Sequence, residues 1–375
     1  MIVQQPAGGI LIRAKNLPDI ALARQCFFEK SASLGIEQLI ETITENDGLS
    51  VRFRMRKDLK IECSPFYDTL QLCDVFRLDP QTNPADIGKE IVLSMLLGPV
   101  TFEYPNYAEL AASLRIRHNI VVAASRTALA FHTSKIERPI DYWTYSEDCG
   151  FTVLPGKPLI EALRKATQPE VSGEKYCFSC YRATEYVILL GIAQELEICN
   201  PVLLQQLQQQ WEFRSIKSRQ FHDVFLREFG SMSEPLPPRY FVPGDRLWFR
   251  NPDERSSDVT GYEGSWVFYL GSGLFTNFWE RDKPYTLTSK CIEIYHWRHG
   301  VCQDSEGNLH IDETIVQKRV SASMQNQDEI GRILEQMLRL RDVQGVYADG
   351  GCIDTSREYP RCVCPVSADL ILPID

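Results

Sequence analysis

The segment Tyr176-Cys177-Phe178-Ser179-Cys180 stands where a polar stretch gives way to an apolar run that continues to residue 193. Apolar residues recur in that run at helical spacing, and the run is too long for an ordinary strand. Because Ser179 is a residue type that caps helices, the pattern predicts a helix with Cys180 in its first turn. Free backbone N–H groups and the positive end of the helix dipole favour a thiolate there, so Cys180 is a candidate nucleophile. The alternative is that Cys180 serves as a small apolar residue in a core helix.

The overall composition argues against several classes of function. The chain has 375 residues, 44% of them hydrophobic and 10% aromatic, which is enough for a large packed core. A net charge of −10 argues against a nucleic-acid-binding face. No run approaches the ~20 apolar residues that a membrane span needs, and the first residues lack a signal-peptide pattern. We therefore expect a cytoplasmic protein with neither nucleic acid nor membrane as a partner; its oligomeric state is unknown.

The twelve cysteines are scattered along the chain, and most are expected to be reduced thiols in the core. Cys177 and Cys180 form a C-x-x-C, but no thioredoxin-like βαβ pattern surrounds them. A second close pair, Cys362 and Cys364, has the wrong spacing for a zinc site. The cysteine pattern therefore favours neither a redox motif nor a metal centre.

Residues 1–95 are predicted to form an accessory unit, and residues 96–375 the main domain. In the accessory unit the patterns predict a short helix over 36–43, a turn at 46–48 and a half-exposed strand over 49–56 with solvated arginines.

The main domain begins with an extended run over 99–104 and a buried helix from about residue 107, which carries a structural His118. A strand at 141–144 and a helix over 159–166 precede the cysteine helix. The segments that follow it predict antiparallel strands at 240–242, 246–249, 266–270, 274–278 and 292–297, then a helix over 330–338. This order predicts an α+β fold with a papain-like core of the NlpC/P60 type, by analogy of architecture.

Four segments, within residues 98–300, resemble the small bacterial spore-coat transglutaminases. They are residues 98–121, 141–143, 176–180 and 244–253. The segment 244–253 reads Gly-Asp-Arg-Leu-Trp-Phe-Arg-Asn-Pro-Asp and is similar to the family's Gly-Asp-x-Leu-aromatic-Phe-basic-Asn-Pro-acid run. The segment 176–180 is similar to the family's Tyr-x-Phe-Glu-Cys nucleophile segment.

The resemblance implies acyl transfer. A thiolate would attack a glutamine-type amide, ammonia would leave, and an amine would take the acyl group from the thioester. It maps the nucleophile onto Cys180, whereas an alignment led by Ala183-Thr184 would put Arg182 at that position. It implies a protein or small-molecule acyl donor, an amine acceptor, and no metal or organic cofactor.

The acid and base positions depart from the family pattern. The glutamate before the family's cysteine is Ser179 here, a second glutamate falls at Ser265, and a histidine falls at about Asn277. Glu263 lies two residues from Ser265, and our hypothesis is that it acts as the base for Cys180, with Asn277 and Ser265 as polar support. The alternatives are that Glu263 is a solvated loop carboxylate, or that His296 or His299 supplies the base.

Three functions remain open from the sequence. The first is a cysteine acyltransferase of the transglutaminase type. The second is a non-catalytic relative that binds a protein or a small ligand in the same cleft. The third is a related thiol amidase or amide-forming enzyme of specialised metabolism.

Overall fold

The computed structural model describes residues 8–59, 64–130, 137–341 and 350–373. The α-helices whose limits lie in these ranges are α1 (Leu17–Ser33), α2 (Leu72–Phe76), α3 (Ala85–Leu97), α4 (Tyr107–Arg126), α5 (Leu159–Thr167), α6 (Pro169–Ser172), α7 (Cys180–Cys199), α8 (Pro201–Phe213), α9 (Ser218–Phe225), α10 (Glu254–Ser257), α11 (Leu287–Gly300), α12 (Glu313–Ser323) and α13 (Gln327–Met337). The strands are β1 (Gly9–Arg13), β2 (Ile40–Thr44), β3 (Ser50–Met55), β4 (Thr101–Tyr104), β5 (Trp143–Ser146), β6 (Gly150–Val153), β7 (Leu226–Phe229), β8 (Arg246–Arg250), β9 (Gly264–Gly271), β10 (Leu274–Phe275), β11 (Tyr285–Thr286), β12 (Val301–Gln303), β13 (Leu309–Ile311) and β14 (Arg357–Pro360). None of the helices in these ranges has the length and apolar character to cross a membrane.

The first sheet has four strands in the order β2-β3-β1-β4. Strand β1 pairs antiparallel with β3 and parallel with β4. Strand β4 therefore completes this sheet although it follows residue 95. The division into units at residues 95 and 96 stays a prediction.

Two expectations for this sheet are wrong. Residues 36–43 form one 3-10 turn, Glu37–Leu39, and then strand β2, because their β-branched side chains suit the pairing with β3. Strand β3 is not half-exposed, since it lies between β1 and β2 and is buried along most of its length. Its Arg52 is 9% exposed, and the Arg52 Nε lies 2.5 Å from Glu45 Oε1. The predicted turn at 46–48 is present, with Gly48 at a φ of +66°.

The second sheet has six strands in the order β11-β10-β9-β8-β14-β7, and β8 pairs antiparallel with β9. The strands predicted over 246–249 and 266–270 are confirmed. Residues 240–242 form no strand, and the strand predicted over 274–278 is only Leu274–Phe275. Residues 292–297 lie inside helix α11, which begins at a capping box of Thr286 and Ser289, so their alternating pattern was misleading.

Helix α7 runs through the largest apolar cluster and packs against α4 and α5. The approach to α4 depends on Gly191, where an added Cβ would lie 2.7 Å from Ile120 Cγ1 and 3.3 Å from the Ile120 backbone nitrogen. At the N-terminus of α7 the Ser179 hydroxyl accepts a hydrogen bond from the Arg182 N–H at 3.3 Å. The helix therefore begins at Cys180.

Buried polar contacts hold the second sheet against the helices that precede it. Tyr269 Oη donates to Glu90 Oε1 at 2.7 Å, and the Ser272 N–H donates to the same carboxylate at 3.0 Å. On α4, Arg117 Nη1 lies 2.7 Å from Asp245 Oδ1 with both side chains fully buried. These contacts join β9 to α3, and the residue before β8 to α4.

Candidate active site

Cys180 is half-buried and lies in a wall that two cavities share. The larger cavity has a volume of about 660 Å³ and the smaller about 290 Å³, and Cys180 lines both. Helix α7 presents the cysteine as its first residue, while β9 brings Trp266 to the same wall. A nucleophile at this place is open to groups that approach from either side.

The ionisation of the Cys180 thiol depends on opposing influences. Burial is the largest and raises the pKa of the thiol. Hydrogen bonds from the backbone N–H groups of Trp266 and Tyr181, and the charges of Lys290 and Arg246, act to lower that pKa. The net effect is a pKa above the ordinary value. The expectation that the helix start alone would favour a resting thiolate is therefore wrong, since desolvation outweighs the groups that stabilise the anion.

The larger cavity has aromatic walls. Trp248 and Trp266 stack with ring centroids 5.8 Å apart, and Tyr181 meets Trp266 edge-on at 5.2 Å. The aromatic residues that line the cavity are Tyr145, Phe151, Phe178, Tyr181, Tyr186, Trp211, Trp248 and Trp266. Such walls suit a planar or apolar group, and the volume lies in the range of small-molecule sites.

Glu263 lines the larger cavity together with Cys180, at an exposed position. Its carboxylate accepts hydrogen bonds from the Gly261 N–H at 3.2 and 3.1 Å. The backbone N–H groups of Trp266 and Tyr181, rather than Glu263, are the hydrogen-bonding groups that act on the pKa of the Cys180 thiol. The structure thus brings the predicted base to the same cavity as the predicted nucleophile, with acceptor capacity left on its carboxylate.

The smaller cavity contains a buried cation. Lys290 is 3% exposed, and its Nζ lies 3.0 Å from Glu293 Oε2. The same Nζ lies 4.0 Å from the centroid of the Tyr285 ring. Tyr285 Oη donates to Glu293 Oε1 at 3.2 Å. The ammonium is therefore held beside Cys180 by a carboxylate and a ring face.

A second carboxylate lies in the smaller cavity. Tyr262 Oη donates to Glu313 Oε1 at 2.5 Å, and burial raises the pKa of Glu313. Glu313 and Glu293 both line this cavity, so an amine that entered it would meet two carboxylates.

Asn277 lines the smaller cavity, as does Ser265. The Asn277 amide is used within its own turn: Nδ2 donates to the Lys283 carbonyl at 3.1 Å, and Oδ1 accepts from the N–H groups of Trp279 and Glu280 at 3.3 and 3.1 Å. The cysteine thus shares one cavity with Glu263 and the other with Asn277. Asn277 shapes the wall of the smaller cavity.

The histidines considered from the sequence lie outside both cavities. His296 Nε2 lies 2.7 Å from Ser323 Oγ, and His296 Nδ1 lies 3.0 Å from His299 Nδ1. Burial lowers the pKa of His296 to about 4. His118 is half-buried on α4, and burial lowers its pKa as well.

Arg182, the nucleophile position in the alternative alignment, lines the larger cavity. Its Nη1 lies 2.6 Å from Glu185 Oε2. A guanidinium is no nucleophile at neutral pH. The cysteines in the described ranges are free thiols, and no cluster of metal-ligand side chains lies in those ranges.

Sequence reasoning missed Lys290, Glu293 and Glu313. Lys290 and Glu293 have the i,i+3 spacing of a helical ion pair, which is a usable signal only if the segment is recognised as a helix. Arg138, which also lines the larger cavity, follows no pattern in the sequence that would place it there.

Comparison with known proteins identifies a family. No curated protein matches the chain. The transglutaminase from Geobacillus stearothermophilus, without its C-terminal extension, aligns with 21% identity and a TM-score of 0.40, over 57% of this chain and 98% of that chain. The model of the protein-glutamine gamma-glutamyltransferase family matches residues 72–349, which is more than half of the chain and extends beyond the four segments at both ends. The match confirms the resemblance, and the chain belongs to the protein-glutamine gamma-glutamyltransferase family, the transglutaminases.

Proposed function

We propose that this chain transfers acyl groups through a thioester on Cys180. The observation that carries the proposal is the position of Cys180 in the wall between two cavities. In the first step the sulfur bonds to the carbonyl carbon of an amide and ammonia leaves. In the second step an amine nitrogen bonds to the same carbon and displaces the sulfur, which regains a proton.

The acyl donor, a protein glutamine or a small-molecule amide, enters the larger cavity in this proposal. Its aromatic walls suit the apolar part of a donor, and Glu263 lies at its edge. Glu263 takes the proton from the Cys180 thiol during attack and gives it to the leaving ammonia. Because burial raises the pKa of the thiol, a base that acts during the attack is needed.

The amine acceptor enters the smaller cavity. Glu293 and Glu313 attract the ammonium form and accept its proton before attack, and Trp279 and Trp297 line the same cavity. Lys290 stabilises the thiolate that leaves in the second step. Asn277 holds the turn that forms one wall and acts as a positioning residue.

The same proposal includes the architecture. We propose a core of the NlpC/P60 type, supported by a cysteine at the first residue of α7 and by the packing of α7 on β9, which pairs antiparallel with β8. Residues 1–95 then act as an accessory unit to a transglutaminase-like domain over residues 96–375.

A second candidate function is a non-catalytic binding protein. The observation that favours it is the raised pKa of the Cys180 thiol, which lowers the fraction of thiolate at neutral pH. The two candidates differ in whether the cysteine forms a covalent bond.

Amine incorporation tests the proposal. The protein is incubated with a glutamine-containing protein as the acyl donor and a fluorescent primary amine as the acceptor, and covalent incorporation is measured after denaturing electrophoresis. We expect incorporation with the wild type and with Cys177→Ala, and none with Cys180→Ala. Equal incorporation by Cys180→Ala would refute the proposal, and none by the wild type with protein or small amide donors would favour the binding protein.

A further inference from the structure

Arg138 contributes a buried positive charge to the wall of the larger cavity. The residue is 5% exposed and lines the cavity. Its guanidinium carbon lies 3.3 Å from the centroid of the Phe178 ring, 4.6 Å from that of Tyr186 and 4.7 Å from that of Phe151. The cation is thus surrounded by rings that line the same cavity.

Arg138 has no carboxylate partner among the residues that the structure describes. Its Nη1 donates to the backbone carbonyls of Glu137 at 2.6 Å and Cys177 at 3.3 Å, and its Nε has no hydrogen-bond partner there. The segment 131–136 just before it contains no acidic residue in its sequence. A buried charge without a counter-ion is costly, and an arginine keeps its charge at neutral pH.

The other arginine of this cavity differs in this respect. Arg182 forms an ion pair with Glu185, so its charge is balanced within the protein. The positive charge of Arg182 also repels that of Arg138, so an anion bound beside Arg138 would relieve this repulsion. Arg138 is therefore the cation of the larger cavity that a ligand would neutralise.

We infer that the larger cavity binds a small acyl donor with a planar apolar body and a separate anionic group, and that Arg138 is the counter-ion of that group. This inference rests on the proposed function, because the amide of the donor must reach Cys180 in the same cavity. The volume of about 660 Å³ and the aromatic walls fit such a molecule. Carboxylate and phosphate are the groups that pair most strongly with a guanidinium.

Binding to the Cys180→Ala protein tests the inference without turnover. The probes are 4-phenylbutanoate, its neutral amide and phenyl phosphate, and the readout is quenching of tryptophan fluorescence, since Trp211, Trp248 and Trp266 line the cavity. We expect at least one of the two anions to bind about tenfold more tightly than the amide or better. Tighter binding of phenyl phosphate would support the inference and identify phosphate as the group, whereas tighter binding of phenylbutanoate would identify a carboxylate. The inference would be overturned if the amide bound as tightly as both anions or more tightly.

Protein variants assign the preference to one residue. In the Cys180→Ala protein, the additional substitution Arg138→Met should reduce the preference for the anion over the neutral amide to less than about twofold. Arg332→Met, which removes an exposed arginine on α13, should leave the preference unchanged. An equal loss in both variants would overturn the role of Arg138. If the Arg138 variant fails to fold, the comparison of the three ligands on the Cys180→Ala protein still tests the inference.

The inference and the proposed function fail in distinguishable ways. Amine incorporation by the wild type without any preference for anions would refute the inference and leave the proposed function standing. A preference for anions without any acyl transfer would refute the proposed function and leave the anion site standing.

Discussion

Trp266 in β9 and Cys180 at the start of α7 line the same cavity, and the backbone N–H of Trp266 acts to lower the pKa of the Cys180 thiol. The strand is held in place by its pairing with β8, where Trp248 stands opposite Trp266. The helix is fixed at its first turn by the Ser179 cap. The surroundings of the sulfur are therefore set by two elements that are far apart in the chain.

The rate of alkylation of Cys180 in the wild-type protein should rise at a higher pH than that of a free thiol. Burial raises the pKa of this thiol, so less thiolate is present at neutral pH than for an exposed cysteine. Iodoacetamide reacts with the thiolate, and the midpoint of the rate against pH should lie above the value of about 8.5 for a free thiol. Peptide mapping by mass spectrometry assigns the rate to Cys180. A midpoint below that of a free thiol would show that the helix start and the N–H groups outweigh burial.

Lys290→Met should shift this profile to still higher pH. The Lys290 charge lowers the pKa of the Cys180 thiol, so its removal leaves burial less opposed and slows alkylation at pH 8. Lys290→Arg should keep the charge and most of the rate. The matched control is Lys283→Met, which removes an exposed lysine paired with Glu280. If the profile of Lys290→Met matched that of the wild type, the ammonium would have no electrostatic effect on the sulfur.

Glu263→Gln should lower kcat by about 10²–10⁴-fold, because the variant loses the general base and keeps the shape of the cavity. Glu263 is exposed, so thermal unfolding should be unchanged. Glu254→Gln, at another exposed glutamate, serves as the control and should keep full activity. Normal turnover by Glu263→Gln would remove this residue from the mechanism and direct attention to Glu293 and Glu313.

Gly191→Ala should destabilise the protein by about 1–3 kcal/mol, because the new Cβ overpacks the contact between α7 and α4. An added Cβ at Gly191 would lie 2.7 Å from Ile120 Cγ1, whereas one at Gly331 on α13 would meet nothing within 4 Å. Gly331→Ala should therefore stabilise the protein by about 0.4–1 kcal/mol. Urea unfolding measures the free energy of unfolding of both variants. Equal changes would mean that α7 and α4 can move apart to accommodate the added Cβ at no cost.

Local patterns predicted the elements that depend on local forces. The helix that begins at Cys180 follows from a capping serine and an apolar run, and the strands at 246–249 and 266–270 follow from β-branched and aromatic residues. The segment 36–43 has helical spacing, but its pairing with β3 decides its structure. The reverse holds for residues 292–297, where a cap at Thr286 produces a helix from an alternating sequence.

The site was predictable only in part, because its charges come together through long-range packing. The motif at 176–180 predicts Cys180 as the nucleophile, and Glu263 is a hypothesis from its place two residues from the matched Ser265; the two residues line one cavity. Lys290 acts on the same cysteine from helix α11, and the alternating pattern over 292–297 in that helix predicts a strand. The raised pKa of the thiol depends on how deeply the folded chain buries it, which no local pattern records.

The most direct test of the account is the detection of an acyl-enzyme by intact mass. The protein is mixed with an amide donor and no amine, quenched in acid within seconds, and weighed by mass spectrometry. We expect an added mass equal to the donor minus ammonia on the wild type and on Cys177→Ala, with loss of the adduct on treatment with hydroxylamine. The same adduct on Cys180→Ala would contradict the account, as would acyl transfer by the wild type with no adduct at Cys180.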